Sequence, residues 1–514
     1  MRIPRFNIKT IYQRVSIYLF FIIIATFFLL VCTKSSPLYF TNDWTDANAS
    51  FTLGKSMMNG KVLYMDIFNQ RGPLFYSMHG LFYLISNKTF LGVFLFEVVF
   101  FSVFLFYSYK IARIYLNKRY GLFVIPIISF LILNNRNFAH GDSPEQFSMT
   151  LLMISLYYLL KQLKLNNFKP IAKRIVLING ILAGSIIWIK YSMIGFWFGW
   201  ILVISIISIA NKKYLNTIFL NFIFLVGIFI ATIPFIIYFG INGAYKEWID
   251  AYFFVNINHY SRHSTIFNSI FFIIENFVAG LGRNVIFFSI SLFGIVSILI
   301  SKYFARNFIK RTAILIPFFF LTIGVYGGGR AFIYYFLIIS PISIFGIIYF
   351  LRCIKLSLIN TYFQKNNYTY ILAIVTLFLF SITIITNHNT YIFKYEKEDL
   401  VQFSFAEIIN RSSNPTLLNY GSLDIGLYTT TGIVPNVKYF QRQNIDYGRF
   451  PINMDEQNRY LEEKLVDFVV TKELANNANK SFNLNNYFKS YQLVAEKNQS
   501  YEGEYLTYKL YKLK

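Results

Sequence analysis

Long apolar runs alternate with short polar segments along this chain, and the runs predict helices able to cross a bilayer. They are Val15–Val31, Thr89–Tyr109, Gly121–Leu133, Phe147–Leu160 and Ile175–Ile189, then a sixth returning to Lys212-Lys213. Ile218–Phe239, an eighth leading to Lys302, Thr312–Val325, a tenth ending at Arg352 and Tyr370–Ile385 complete the set. The pattern predicts about eleven spans in an all-α polytopic membrane module over residues 1–390. Between the first two runs lies Ser35–Lys88, which carries Asp43, Asp46, Asp66 and Arg71. A plain hairpin between helices needs only about 2–8 residues, so this loop has work of its own. Inside it Ala47, Phe51, Gly54 and Met58 fall at helical spacing up to Asn59-Gly60, predicting a short amphipathic helix on the membrane surface. Pro73–Ile85 is apolar but too short to span.

From about Asn387 the pattern changes. PTLLNYG, VPNVKYF, LVDFVVT and EYLTYKLYKL read as strands, the last alternating with period two, and DEQNRYLEEKL reads as a helix between them. Residues 391–514 therefore predict a small α/β domain outside the membrane.

Charge orients the spans. Arg2, Arg5, Lys9 and Arg14 precede the first run, and Lys110, Arg113, Lys118 and Arg119 follow the second. Further clusters sit at Lys161–Arg174, Lys212-Lys213, Lys302–Arg311 and Arg352–Lys365. Basic residues gather in short cytoplasmic loops, so the N-terminus is predicted inside, with Ser35–Lys88 and the C-terminal domain outside. The 514 residues are 55% hydrophobic and 14% charged, against about 25% charged in soluble chains. The net charge of +24 is what cationic loops supply, and its placement between apolar spans excludes a nucleic-acid binder. Cys32 and Cys353 lie at opposite membrane faces, so no disulfide is expected. The first run lacks an A-x-A-like cleavage site and reads as a retained helix in the cell membrane.

The candidate chemistry lies in the outer loops. Asp43 and Asp46 flank the start of the predicted surface helix, where Asp46 would either cap the helix or meet a lipid-borne headgroup. Asp142 and Glu145, in HGDSPEQ with His140, either favour a helix start or form a second acidic cluster. Lys190 in IIWIKYSMIGF is a cation with almost no hydrophilic loop around it, placed to snorkel or to bind an anion. Arg330 in GGGRAFIYYF, beside Tyr334, and Arg71 in NQRGP add guanidinium groups able to grip phosphate. There is no HExxH, CxxC, GxxxxGKS or GxGxxG pattern. Asp and Glu are able to hold a divalent cation, but no spacing specifies one.

This arrangement resembles the C-type (GT-C) membrane glycosyltransferases, the superfamily of protein O-mannosyltransferases and the lipid A aminoarabinose transferase. The resemblance covers residues 1 to about 390. It rests on the acidic first loop, GKVLYMDIFNQRGPLFY at Gly60–Tyr76, Glu145 in the second loop, Lys190, and GRAFIYYF at Gly329–Phe336. Many relatives have adjacent Asp-Glu in the first loop; here Thr45 precedes Asp46, which leaves the choice between Asp43 and Asp46 open. The resemblance implies transfer, with inversion, of a sugar from a polyprenyl-phosphate donor to a cell-envelope glycan or protein on the outer face. It implies Asp46 as base, Asp43 or Glu145 orienting the acceptor, and Lys190 and Arg330 facing the phosphate. Asp142, Arg71, Tyr334 and His140 would be substrate contacts.

Two other classes compete. A polysaccharide polymerase would place its basic sites in a late outer loop such as Gly240–Asn284. A transporter or flippase of lipid-linked glycans would show two similar halves and mid-span charges; no such duplication stands out.

Overall fold

A computed structural model describes residues 8–165, 171–262, 265–356, 367–474, 487–501 and 504–514. Every predicted apolar run is helical. In order these helices are α1 (Ile8–Cys32), α2 (Thr45–Met58), α3 (Pro73–Ile85), α4 (Leu91–Tyr115), α5 (Lys118–Leu133), α6 (Pro144–Leu165) and α7 (Lys173–Lys190). There follow α8 (Gly195–Ala210), α9 (Tyr214–Ile241), α10 (Tyr245–Ile249), α11 (Ile266–Gly282), α12 (Val285–Ile300), α13 (Phe308–Tyr326) and α14 (Ser343–Leu356), with a further helix at Tyr368–Thr386. Among the described residues, seven stretches are long and apolar enough to cross a membrane, or eight if the α11–α12 pair, bent by 117°, counts as one. The expected count of about eleven is higher for three reasons. Lys173–Ala210 passes as a single stretch; α5, at 16 residues, reaches only about 24 Å at 1.5 Å per residue; and α6, with Gln146, Lys161, Gln162 and Lys164 among its residues, is not apolar enough to count. The chain is a multi-pass membrane protein.

The chain divides into two compact units. The first comprises Met1–Thr33, Leu95–Thr232 and Ser264–Thr390; the second comprises Lys34–Phe94, Ile233–His263 and Tyr391–Lys514. Thus the long first loop and the C-terminal stretch belong to one body.

In the first unit the helices pack by apolar faces, and some of their polar groups find local partners. Trp188 Nε1 donates to Thr232 Oγ1 at 2.9 Å, and Trp197 Nε1 to Ser155 Oγ at 2.9 Å. Asn117 caps α5 by accepting the Tyr120 N–H.

In the second unit α2 and α3 lie close because Gly54 faces Gly80. A Cβ on Gly54 would come within 2.5 Å of the His79 backbone carbonyl carbon. The C-terminal stretch forms a four-stranded sheet of β1 (Leu417–Asn419), β2 (Phe468–Leu474), β3 (Tyr491–Tyr501) and β4 (Glu504–Leu513), in the order β1-β2-β4-β3. β1 runs parallel to β2, with Leu417 opposite Phe468; the other pairs are antiparallel. Period-two patterning places Leu506, Tyr508 and Leu510 of β4 in the core. The helix at Ile452–Glu462 matches the expected DEQNRYLEEKL segment. VPNVKYF is not a strand. Its Lys438 and Phe440 carbonyls accept single bonds from Phe68 N–H and Asn419 N–H instead of joining a ladder. α10 continues into an eleven-residue π-helix, Asp250–Tyr260, a rare form that recurs at functional sites.

Candidate functional site

The acidic positions of the second unit are built around the start of α2. That helix begins at Thr45, with Trp44 as its N-cap residue and no side-chain cap bond. Asp46 therefore does not cap it; it stands in the first turn, where a carboxylate suits the helix dipole. Its Oδ2 lies 2.5 Å from Arg71 Nη2, and the two side chains are 24% and 16% exposed. Arg71 Nη1 also donates to the Asp46 carbonyl at 3.3 Å and to Ser50 Oγ at 3.1 Å.

Arg71 is itself held from behind. Its N–H donates to the Tyr76 hydroxyl at 3.1 Å, and the Tyr64 hydroxyl donates to its carbonyl at 2.5 Å. From the π-helix, Asn256 Nδ2 donates to the neighbouring Gln70 carbonyl at 2.6 Å. Tyr64 adopts φ of +67°, a strained geometry for a bulky residue. A half-exposed carboxylate and guanidinium are thus fixed by buried tyrosines, the kind of support a preorganised site needs.

Asp43 has a different setting. It is buried, bridged to the buried Lys34 and hydrogen-bonded by the Tyr391 hydroxyl. The two first-loop aspartates take different cations. Of the two, Asp46 is the one whose carboxylate stays partly open to solvent.

Deeper in the same unit, α2 is tied to the loop after β1. Thr52 Oγ1 donates to Asp424 Oδ2 at 2.7 Å, and Lys55 Nζ donates to the Tyr428 carbonyl at 2.5 Å. Burial lowers the Lys55 pKa to about 7, against the opposing charge of Asp424. Burial raises that of Asp424, opposed first by the Gly426 N–H and then by the Thr52 hydroxyl.

The first unit holds the second acidic loop. Glu145, in the first turn of α6, is fully buried and bridged at 2.6 Å to Lys190, the last residue of α7. Lys190 Nζ also lies 3.4 Å from the Tyr335 ring centroid and 5.9 Å from that of Tyr334. The structure thus brings Glu145, Lys190 and Tyr334 together. Glu145 Oε2 has no hydrogen-bond partner among the described residues. Arg330 lies, half-buried, between α13 and the 3-10 turn Ile333–Ile338.

Asp142 is buried at φ +52°, and its N–H donates to Glu97 Oε1 at 2.8 Å. Thr33 Oγ1 contacts the same carboxyl at 2.9 and 3.0 Å. His140 pairs its Nδ1 with Asn389 Oδ1 at 2.8 Å, and Asn389 also donates to the Cys32 and Ala139 carbonyls. His140 is therefore part of a buried clamp on the strained Ala139–Asp142 turn, in which Ala139, Gly141 and Asp142 all have positive φ.

Sequence reasoning missed Glu97, Lys34, Tyr391, Lys55 and Asp424. A signal existed for the first: Glu97 is the one carboxyl in the apolar run Leu91–Phe106, and ionisable groups within a span are functional candidates by default. The partners of Lys34 and Lys55 lie more than 350 positions along the chain or in an unpatterned loop, where no spacing announces them. No group of three or more His, Cys, Asp or Glu able to hold a metal occurs among the described residues.

Residues 70–238 match the family model described as dolichyl-phosphate-mannose-protein mannosyltransferase. The fold is similar to that of ArnT from Cupriavidus metallidurans in the apo state, with TM-score 0.59 and 12% identity, covering 98% of each chain. It is likewise similar to ArnT from the same organism bound to undecaprenyl phosphate, with TM-score 0.56 and 12% identity, over 97% of this chain and 98% of that one. No protein of curated function matches the chain in sequence. The family model thus covers the stretch that carries Arg71, Asp142, Glu145 and Lys190, and the fold over nearly the whole chain is similar to that of ArnT.

Proposed function

We propose that the protein transfers a sugar from a polyprenyl-phosphate donor to a cell-envelope glycan or protein on the outer membrane face, inverting the anomeric carbon. The observation that carries the reading is the Asp46–Arg71 pair at the first turn of α2, fixed by Tyr64 and Tyr76. It occurs in a chain whose fold is similar to a protein seen with undecaprenyl phosphate. An acceptor hydroxyl attacks C1 of the donor sugar; the new O–C1 bond forms as the C1–O bond to phosphate breaks. The electron pair leaves with the polyprenyl phosphate, and Asp46 takes the hydroxyl proton. Phosphate is already a good leaving group, so no paired general acid is needed, unlike in a glycosidase.

Arg71 orients Asp46 and places positive charge beside it. Asp43, held by Lys34 and Tyr391, sets the chain direction into α2. The roles assigned to Lys190 and Arg330 toward phosphate, and to Asp142, Glu145, Tyr334 and His140 toward substrate, belong to this same proposal. So do a cytoplasmic N-terminus and an outer domain at residues 391–514, which rest on the distribution of Lys and Arg.

The test is purified protein in lipid with a polyprenyl-phosphate sugar and envelope acceptors. Asp46→Asn should reduce transfer by orders of magnitude while leaving the melting temperature unchanged. Full activity in Asp46→Asn, Asp43→Asn and Glu145→Gln alike would overturn the assignment.

A further inference from the structure

Within the second unit, two clefts open around the loop that follows β1. One, of about 290 Å³, is lined by Ser422, Lys472, Glu473 and Glu504, and also by Thr45, the residue before Asp46. The other, of about 270 Å³, is lined by Arg442, Gln443, Asn444 and Asp446. Gly421, Ser422 and Leu423 line both. They lie beyond the carboxyl ends of the parallel strands β1 and β2, where the loops of open α/β sheets commonly receive ligands.

Their contents point to a ligand class. The Ser422 hydroxyl is buried and has no hydrogen-bond partner among the described residues. The Arg442 guanidinium makes no ion pair among them. Two cations stand among three carboxylates and two amides, a mixture that repels a polyanion and supplies both donors and acceptors to hydroxyl groups. Leu423, Ile445, Leu474 and Leu506 give apolar surface for C–H faces.

The loop is also mechanically joined to the candidate catalytic helix. Asp424 receives Thr52, and Tyr428 receives Lys55, both from α2. A chain seated at Ser422 is therefore held in fixed register to the turn that carries Asp46.

We propose that these clefts bind the acceptor, as consecutive units of a neutral, hydroxyl-rich carbohydrate chain. This rests on the transferase reading, since it names the acceptor of that reaction. The experiment uses the full-length protein in lipid and a ladder of neutral oligosaccharides from one to four units. Saturation-transfer NMR reads binding without activity, and transfer from a polyprenyl-phosphate sugar is measured beside release of that sugar to water.

Affinity should rise with chain length. Arg442→Ala, a half-buried surface change, and Ser422→Tyr, which fills both clefts, should each raise the acceptor KM about tenfold, the loss of one charged hydrogen bond. Sugar release to water should stay unchanged. Unaltered KM in a folded Arg442→Ala protein, or cleft-dependent binding of peptides but not oligosaccharides, would overturn the proposal. Oligosaccharide binding sensitive to Arg442→Ala without any turnover of the donor would instead sink the transferase reading and leave a carbohydrate site.

Discussion

Lys55 offers a direct test of how α2 is docked. It is 1% exposed, and burial lowers its pKa to about 7, against about 10.4 in an unfolded chain. Below about pH 7 the residue is charged in both states, and folding bears the whole cost of burying the ammonium. Between the two values the unfolded chain holds the extra proton, so stability rises with pH at up to about 1.4 kcal/mol per unit. From pH 7 to 9 the gain is about 2–3 kcal/mol, or about 2–4 °C in melting temperature per kcal/mol for a cooperative unit of moderate size. Lys55→Met removes the titrating group. At any single pH it exchanges a buried cation for a lost bond to the Tyr428 carbonyl, so the slope, and not the offset, is the readout. Thermal unfolding of both proteins in the same lipid, followed by tryptophan fluorescence from pH 7 to 9, should show a rise in the wild type that the variant lacks. Parallel slopes would refute the reasoning.

Other outcomes follow from the same packing. Asp46→Asn should lower transfer by about 10²–10⁴-fold, the range for loss of a general base, with an unchanged melting temperature. Lys190→Met should destabilise by about 3–5 kcal/mol because it strands the buried Glu145; adding Glu145→Gln should restore most of that loss on unfolding. Gly54→Ala drives a methyl group against the His79 backbone and should cost about 1–3 kcal/mol, seen as a lower melting temperature, whereas Ala at the open Gly282 of α11 should not reproduce it.

The helices were legible because apolar runs of this length have few alternatives in a chain so poor in charge. Strands β1, β2 and β4 were legible from bulk and alternation. β3 was not: YQLVAEKNQSY forms an edge strand paired only with β4, and with just Tyr491 and Gln499 of its described residues buried it shows no continuous apolar alternation to reveal itself. VPNVKYF misled because its apolar residues pack in a loop whose Pro435 offers no N–H to a ladder. At the site, Asp46, Arg71, Glu145 and Lys190 stood out as charges beside apolar spans, and the structure gives each carboxylate its cation. The choice between Asp43 and Asp46 needed coordinates, because only the positions of Lys34 and Tyr391 reveal that Asp43 is enclosed. Glu97 was visible only as a lone carboxyl within an apolar run, since its hydroxyl partner Thr33 gives no charge to match, and Asp424 was missed because Lys55 and Thr52 lie more than 360 positions before it.

The bond between Thr52 and Asp424 spans 372 positions, and this sets an order of events during synthesis. At about 5–20 residues per second, the loop that receives α2 leaves the ribosome roughly 20–75 s after α2 itself. Throughout that interval Lys55 lacks both the Tyr428 carbonyl and the charge of Asp424, so the seat of α2 stays incomplete. The later part of α2, around Thr52 and Lys55, therefore gains its partners only once nearly the whole chain has been made. A nascent chain arrested anywhere before residue 424 lacks the acceptor for Thr52 altogether.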